Sequence, residues 1–416
     1  MTAVVIAPPS PSADLDVRMV GKVSPYDAWF VRAPPMETVY QLDYRLDAEG
    51  LRQGVCEAVA AIPELSGCIL QDGFGGDLIG HVPGLLQVEE AASDIDSASL
   101  DNLDLLKAFV RSVDGAPGSP LCRIRLTSTP TGDVLAFSLS HLIADGFTRR
   151  CFVEHLLAGV LRTPVPAAFQ YQSRKLTAIE PGQTRPYQHN GVLRGESARP
   201  FAPIPRTTQH AHRVRLSGAW AEEAAQGLPR DHGLTPGDIV TAHCVKTWGV
   251  NMFDADDLVR LRIAVDVRNC LPAPDPSLVG NAFIDAVAPL RANDWSAMSL
   301  ADAAAFIHEV VTRQRDDIKR AAHRHAPGRP LEEQAWYGEL FDRAFVPFEQ
   351  ASDLAVANLL RLPTYIDFGG GPPVRRFSVG SASNAILLNN FDGQVVGEIL
   401  SVKPLRNLAL DAAAAP

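Results

Sequence analysis

The sequence predicts a mixed α/β protein built as two domains, and three observations carry that prediction. The chain has 416 residues, more than one compact core organises well. Each half alternates segments of helical and strand periodicity. Between the halves, from Thr163 to about Arg206, Pro164, Pro166, Pro181, Pro186, Pro200, Pro203 and Pro205 interrupt both periods. The expected division is a loose arm over 1–16, a first domain over 17–163, a crossing segment over 164–206 and a second domain over 207–416.

In the first half, Asp47 is placed to cap a helix carrying Leu51, Val55, Val59 and Ile62, which Pro63 stops. Leu121 to Leu126 alternates as a strand. Pro130-Thr131-Gly132-Asp133 then turns the chain into a second strand over 133–140, with Leu135, Phe137 and Leu139 on one apolar face. His141 comes next on that face, Asp145-Gly146 turns, and Phe147 to Leu157 reads as a helix.

The second half opens with alternating Val214 and Leu216. Thr235-Pro236-Gly237-Asp238 supplies a cap and a first-turn proline for a helix through Ile239, Val240, Ala242, Val245 and Trp248. Leu261, Ile263, Val265 and Val267 form one face of a strand, with Arg262, Asp266 and Arg268 on the other. Ser299 and Asp302 open a helix through Ile307, Val311 and Ile318. Asp392-Gly393 between Ile386-Leu387-Leu388 and Val395-Val396 signals a hairpin.

A net charge of -10 and the lack of a basic stripe with interleaved aromatics argue against nucleic acid as a partner. The six cysteines are scattered without a Cys-x-x-Cys pair, as expected of free thiols in a reducing compartment. No apolar run is long enough to span a bilayer, and no signal peptide is read at the N-terminus. The expected location is cytoplasmic, without membrane partners, and the expected state is a monomer.

His141 carries the chemistry. A neutral imidazole at a strand end, with an acid four residues on, suits removal of a proton from a bound hydroxyl or amine. Taken alone, a buried histidine satisfied by backbone groups would be the better reading. Three further segments change that balance. Val265-Asp266-Val267-Arg268-Asn269-Cys270-Leu271-Pro272 precedes Gly280-Asn281-Ala282. Tyr365-Ile366-Asp367-Phe368-Gly369-Gly370-Gly371-Pro372-Pro373 comes late, and Ser24-Pro25-Tyr26-Asp27 with Pro63-Glu64-Leu65-Ser66-Gly67 comes early.

In this order and spacing the segments resemble the BAHD family of acyl-CoA-dependent acyltransferases, in the microbial branch similar to trichothecene O-acetyltransferases. The likeness runs from about Val23 to Val402, within the wider fold shared with chloramphenicol acetyltransferase and condensation domains. It implies two chloramphenicol-acetyltransferase-like α/β domains with a tunnel between them, the first carrying His141 and the second the Asp-Phe-Gly-Gly-Gly motif. Acyl-CoA, as co-substrate, and a small-molecule acceptor would meet at His141, the general base. No permanently bound cofactor and no metal are expected, and no residue is assigned to CoA binding.

The resemblance also implies supporting roles. Asp145 would pair with Arg268 away from the substrate, although an N-cap role is the alternative. Gly146 would allow a tight turn. Asp367, Gly369 and Gly371 would hold interdomain geometry. Gly370 stands where the plant members carry tryptophan, which leaves the oxyanion donor open. Ser140 stands where condensation domains carry a second histidine, and Cys68 where arginine is common.

Weaker candidates are the pairs His210/His212 and His323/His325, read as surface histidines without further ligands. His155 and His243 read as packing residues, and Gly73-Phe74-Gly75-Gly76 as a turn. No Gly-x-Ser-x-Gly elbow is present. Arg206, Arg213 and Arg215 could meet CoA phosphates, but solvated arginines are the better reading. The expected activity is transfer of an acyl group, acetyl foremost, to a hydroxyl of a specialised metabolite. The alternatives are N-acylation, a condensation-like enzyme fed by an acyl carrier protein, and a fold relative repurposed as a cyclase or binding protein.

Overall fold

The computed structural model describes residues 16–23, 25–31, 33–71, 77–95, 103–116, 118–170, 177–178, 210–217, 220, 224, 233–271, 280–325, 344–347, 349, 352–362, 364–378, 384–391, 394–403 and 405. Most of the expected arm, most of the crossing segment, the turn at Gly73, Arg206 and the Asp392-Gly393 turn lie outside the described residues.

The first half runs β1 (Met19–Lys22), α1 (Pro25–Ala28), β2 (Met36–Gln41), α2 (Ala48–Ala61), β3 (Gly67–Gln71), β4 (Asp77–His81), β5 (Val88–Ala92), α3 (Leu103–Phe109), β6 (Cys122–Thr129), β7 (Gly132–Leu139), α4 (Gly146–Leu161) and β8 (Thr177–Ala178). The second runs β9 (His210–Leu216), α5 (Pro236–Cys244), β10 (Leu258–Asp266), β11 (Phe283–Arg291), α6 (Ala292–Ala297), α7 (Leu300–His325), β12 (Asp353–Asn358), β13 (Arg375–Ser378), β14 (Asn384–Phe391) and β15 (Gln394–Ser401).

Local chemistry explains the key elements. Asp47 caps α2 by accepting from the N–H groups of Glu49 and Gly50. Thr235 and Asp238 form a reciprocal capping box at the start of α5. Thr129 opposite Gly132 closes the β6–β7 hairpin. β7 is buried on both faces, because α2 and α4 cover one and α3 packs beneath the other. It is therefore buried throughout, Asp133 and Ser138 included, rather than on the single face expected.

The first half's sheet has the order β13-β2-β7-β6-β5, and the second's is β11-β10-β12-β14-β15-β9. A third sheet has four strands in the order β3-β4-β1-β8. Segments of the chain pack across the boundary expected at 207. β13, from the second half, adds to the edge of the first sheet through Arg376↔Tyr40 and Ser378↔Thr38. Ile366 and Phe368 join the first half's core, while Tyr26 and Phe30 join a core cluster with Val265, Val267, Ala282 and Ile318. Each half thus lends a segment to the other. Among the described residues no helix is long and apolar enough to cross a membrane.

Candidate active site

His141 lies just past the last β7 pairing, Leu139 opposite Met36 and Cys122. Ser140 shapes the exit: its N–H donates to Leu121 O at 2.8 Å and its hydroxyl accepts from the Leu142 N–H at 3.2 Å. The histidine is part-exposed, whereas its Nδ1 is buried without a hydrogen-bond partner. Phe30 stacks on the imidazole with centroids 5.3 Å apart, and Phe283 tilts against it at 5.9 Å. Burial holds the imidazole below its ordinary pKa, with the Asp145 charge and the Asn281 amide opposing that shift. The ring is accordingly neutral at pH 7 and able to accept a proton.

Asp145 uses its two oxygens for two tasks. Oδ1 accepts from the Thr148 N–H at 2.9 Å and caps α4. Oδ2 accepts from Arg268 Nη2 at 2.8 Å and from the Ala282 N–H at 3.1 Å. Cap and ion pair, posed as alternatives by the sequence, therefore coexist. Burial pushes this carboxyl up, but the Arg268 charge and the two N–H donors outweigh it and leave the pKa below its usual value. Arg268 also donates to Gly280 O at 3.0 Å and lies over the Phe147 ring at 4.6 Å. Asn281 Nδ2 reaches His141 O at 2.7 Å and Asp27 Oδ1 at 3.0 Å. The His141 loop is thus bound to the second half at several points.

The turn expected at Gly146 is the entry from extended Asp145 into α4. Gly146 is the first residue of α4 and is not among the glycines at positive φ. A Cβ there would stand 3.3 Å from Leu359 Cδ2, so the second half approaches closely at this position. Gly369 and Gly371, at φ of 102° and 112°, do need glycine. Their N–H groups donate to Asp367 Oδ1 at 2.7 and 2.9 Å. A Cβ on Gly370 would lie 2.5 Å from the Tyr44 ring, so tryptophan has no room there. Tyr44 OH also donates to Gly371 O at 3.1 Å. This loop packs on the first half, although it comes from beyond residue 207.

The other candidates separate from His141. Arg213 is part-buried rather than solvated, its guanidinium donating to Tyr365 OH and lying 5.5 Å over the Phe377 ring. Arg215 and His210 are exposed. His243 packs between Trp220 and Trp248, and His155 is buried in α4. The Cys68 thiol is buried and pushed up to about 12 by desolvation. Among the described residues no group of three or more His, Cys, Asp or Glu could hold a metal ion. A surface groove of about 500 Å³ runs along α7 past His308, Arg313 and Arg320 and shares no residue with the His141 surroundings.

Sequence reasoning gave no role to Phe30, Phe283, Asn281, Tyr44 or Arg149. Asn281 and Tyr26 stood inside quoted motifs, but only the fold brings those motifs against His141. Arg149 carried a signal: it falls on the same helical stripe as the apolar Phe152 and Leu156.

The mixed α/β architecture is one that several solved structures share, and the family model sets the class. The chain belongs to the transferase family, of BAHD type, whose family model matches residues 88–402. It is accordingly an acyl-CoA-dependent acyltransferase. No curated protein matches the sequence. Among solved structures, TRI101 of F. sporotrichioides, complexed with coenzyme A and T-2, is similar at a TM-score of 0.63 and 13% identity. That likeness covers 91% of this chain and 94% of the other. Vinorine synthase is similar at a TM-score of 0.58 and 16% identity, covering 95% and 92%. The epimerization domain of tyrocidine synthetase B is similar at 0.57 and 12% identity, covering 97% and 96%. At these identities the likeness shows the fold.

Proposed function

We propose that this chain transfers an acyl group, acetyl foremost, from acyl-CoA to a hydroxyl of a small specialised metabolite, with His141 as the general base. One observation carries the reading: a part-exposed imidazole, held neutral by burial, sits where residues of both halves converge. The neutral ring takes the acceptor's proton as its oxygen attacks the thioester carbonyl. The resulting oxyanion collapses, the carbon–sulfur bond breaks, and the imidazolium returns a proton to the CoA thiolate. No acyl-enzyme is required. Coenzyme A bound to TRI101 in the similar fold supports acyl-CoA as co-substrate.

Asp145, Arg268 and Asn281 act as positioning residues that fix the His141 loop, and Asp367, Gly369 and Gly371 shape the junction. With Gly370 pressed against Tyr44, the oxyanion donor in this reading is a backbone N–H, a hydroxyl or a water. The test is free-thiol release from a panel of CoA esters with hydroxyl and amine acceptors. Release that needs a hydroxyl acceptor and disappears in His141→Ala supports the reading; release unchanged in that variant ends it.

A further inference from the structure

α4 places Arg149 one turn beyond the Asp145 cap, with only 9% of its surface exposed. No described residue gives its guanidinium a hydrogen bond or ion pair, so the cation is largely buried without a partner among them. The nearby acids are already matched. Asp145 accepts from Arg268 at 2.8 Å. Glu398 accepts from Arg376 at 3.3 Å and from the Ser378 N–H at 3.1 Å. Arg149 is the surplus cation of this group, and burial, then the Arg376 charge, pushes its pKa down to about 10.

A second observation points to the same place. Thr38 Oγ1, Thr364 Oγ1 and Ser378 Oγ are all buried without a hydrogen-bond partner. The β2–β13 register sets Thr38 opposite Ser378 and Tyr40 opposite Arg376, so these four share one face of the first sheet. Tyr40 OH donates to Thr364 O at 3.1 Å, which brings Thr364 to that face. α4 covers it, since Phe152 packs edge-on against Phe137, the β7 partner of Thr38. Arg149 precedes Phe152 by one helical turn, and the His141 imidazole feels its charge.

We propose that Arg149, with the hydroxyls of Thr38, Thr364 and Ser378, forms a subsite for a carboxylate carried by one of the two reactants at His141. One guanidinium with neutral hydroxyl donors suits a single negative charge better than the several charges of the CoA phosphates. The inference rests on the acyl-transfer reading for its place in the reaction, but binding can be read without turnover.

Calorimetry on the full chain, with malonate and benzoate as probes, should show at least tenfold weaker binding in Arg149→Gln and little change in His141→Ala. Thiol release should then be compared for acetyl-, malonyl- and succinyl-CoA, and for acceptors offered as free acids and as methyl esters. A carboxylate preference confined to the donors places the charge on the acyl chain, and one confined to the acceptors places it there. Either preference should shrink at least tenfold in Arg149→Gln. Equal malonate binding by both proteins, or loss of affinity for free coenzyme A as large as that for malonate, overturns the proposal. If no CoA ester is turned over, the acyl-transfer reading fails, while the malonate result still decides Arg149. Arg149→Met guards against a folding artefact. Removing an unpaired buried charge should raise Tm by about 2–4 °C, whereas a lower Tm restored by Arg149→Lys would make the residue a structural one.

Discussion

A base that works at neutral pH must hold its lone pair free, and at His141 burial beside Phe30 and Phe283 does this. His141→Ala should lower thiol release about 10²- to 10⁴-fold with little change in Tm, since a part-exposed ring is removed. Because the folded pKa is lowered, the acid limb of kcat/KM should fall below the ordinary 6.5. The same sign applies to stability: this histidine's contribution is full above 6.5 and is lost as pH falls through the folded value. Asp145 behaves likewise from its usual 3.8 downward. Breaking its buried pair by Arg268→Ala should cost about 3–5 kcal/mol in denaturant unfolding. Asp145→Asn should keep the α4 cap but lose the pair. Unchanged stability in both variants would show that the pair does not hold this loop.

Elements meet closely where glycine lets them, and two such places are testable. Gly370→Ala should destabilise the protein by about 1–3 kcal/mol, because the added Cβ runs into Tyr44. Tyr44→Ala should relieve most of that cost in the double variant, measured by a double-mutant cycle. Between α2 and α4, a Cβ on Gly159 would stand 2.4 Å from Gly50 O, and one on Gly54 2.6 Å from His155 O. Gly159→Ala should therefore lower Tm with no side chain lost. Both effects are backbone approach, which the strand and helix periods of the sequence do not encode. The caps are different: Asp47 and Thr235 act within three residues of themselves, so the sequence displayed them directly.

The whole molecule is held by exchanged segments as well as by the Asp145–Arg268 pair. β13 completes the first sheet, and the segment from Tyr26 to Phe30 fills the second half's core. A fragment ending at residue 206 should therefore fail to unfold cooperatively, and adding the second half in trans should restore a transition. Cooperative unfolding of the isolated fragment would show that β13 is dispensable. Within the second half, packing also decides burial, as at Arg262. It was read as the polar side of a strand, yet it is buried, pairing with Asp285 at 2.7 Å and Asp353 at 3.0 Å.

The chain's own order of residues determined the α/β alternation, the helix caps, the β6–β7 hairpin and the placing of His141 at a strand end. All of these depend on neighbours a few positions apart. Tertiary structure alone decided that Asp145 serves Thr148 and Arg268 together, that Tyr44 fills the space beside Gly370, and that Arg149 has no counterion among the described residues. The physical reason is range. Periodicity and capping act through the local backbone, whereas charge pairing and close approach depend on which distant segments the packed core brings together.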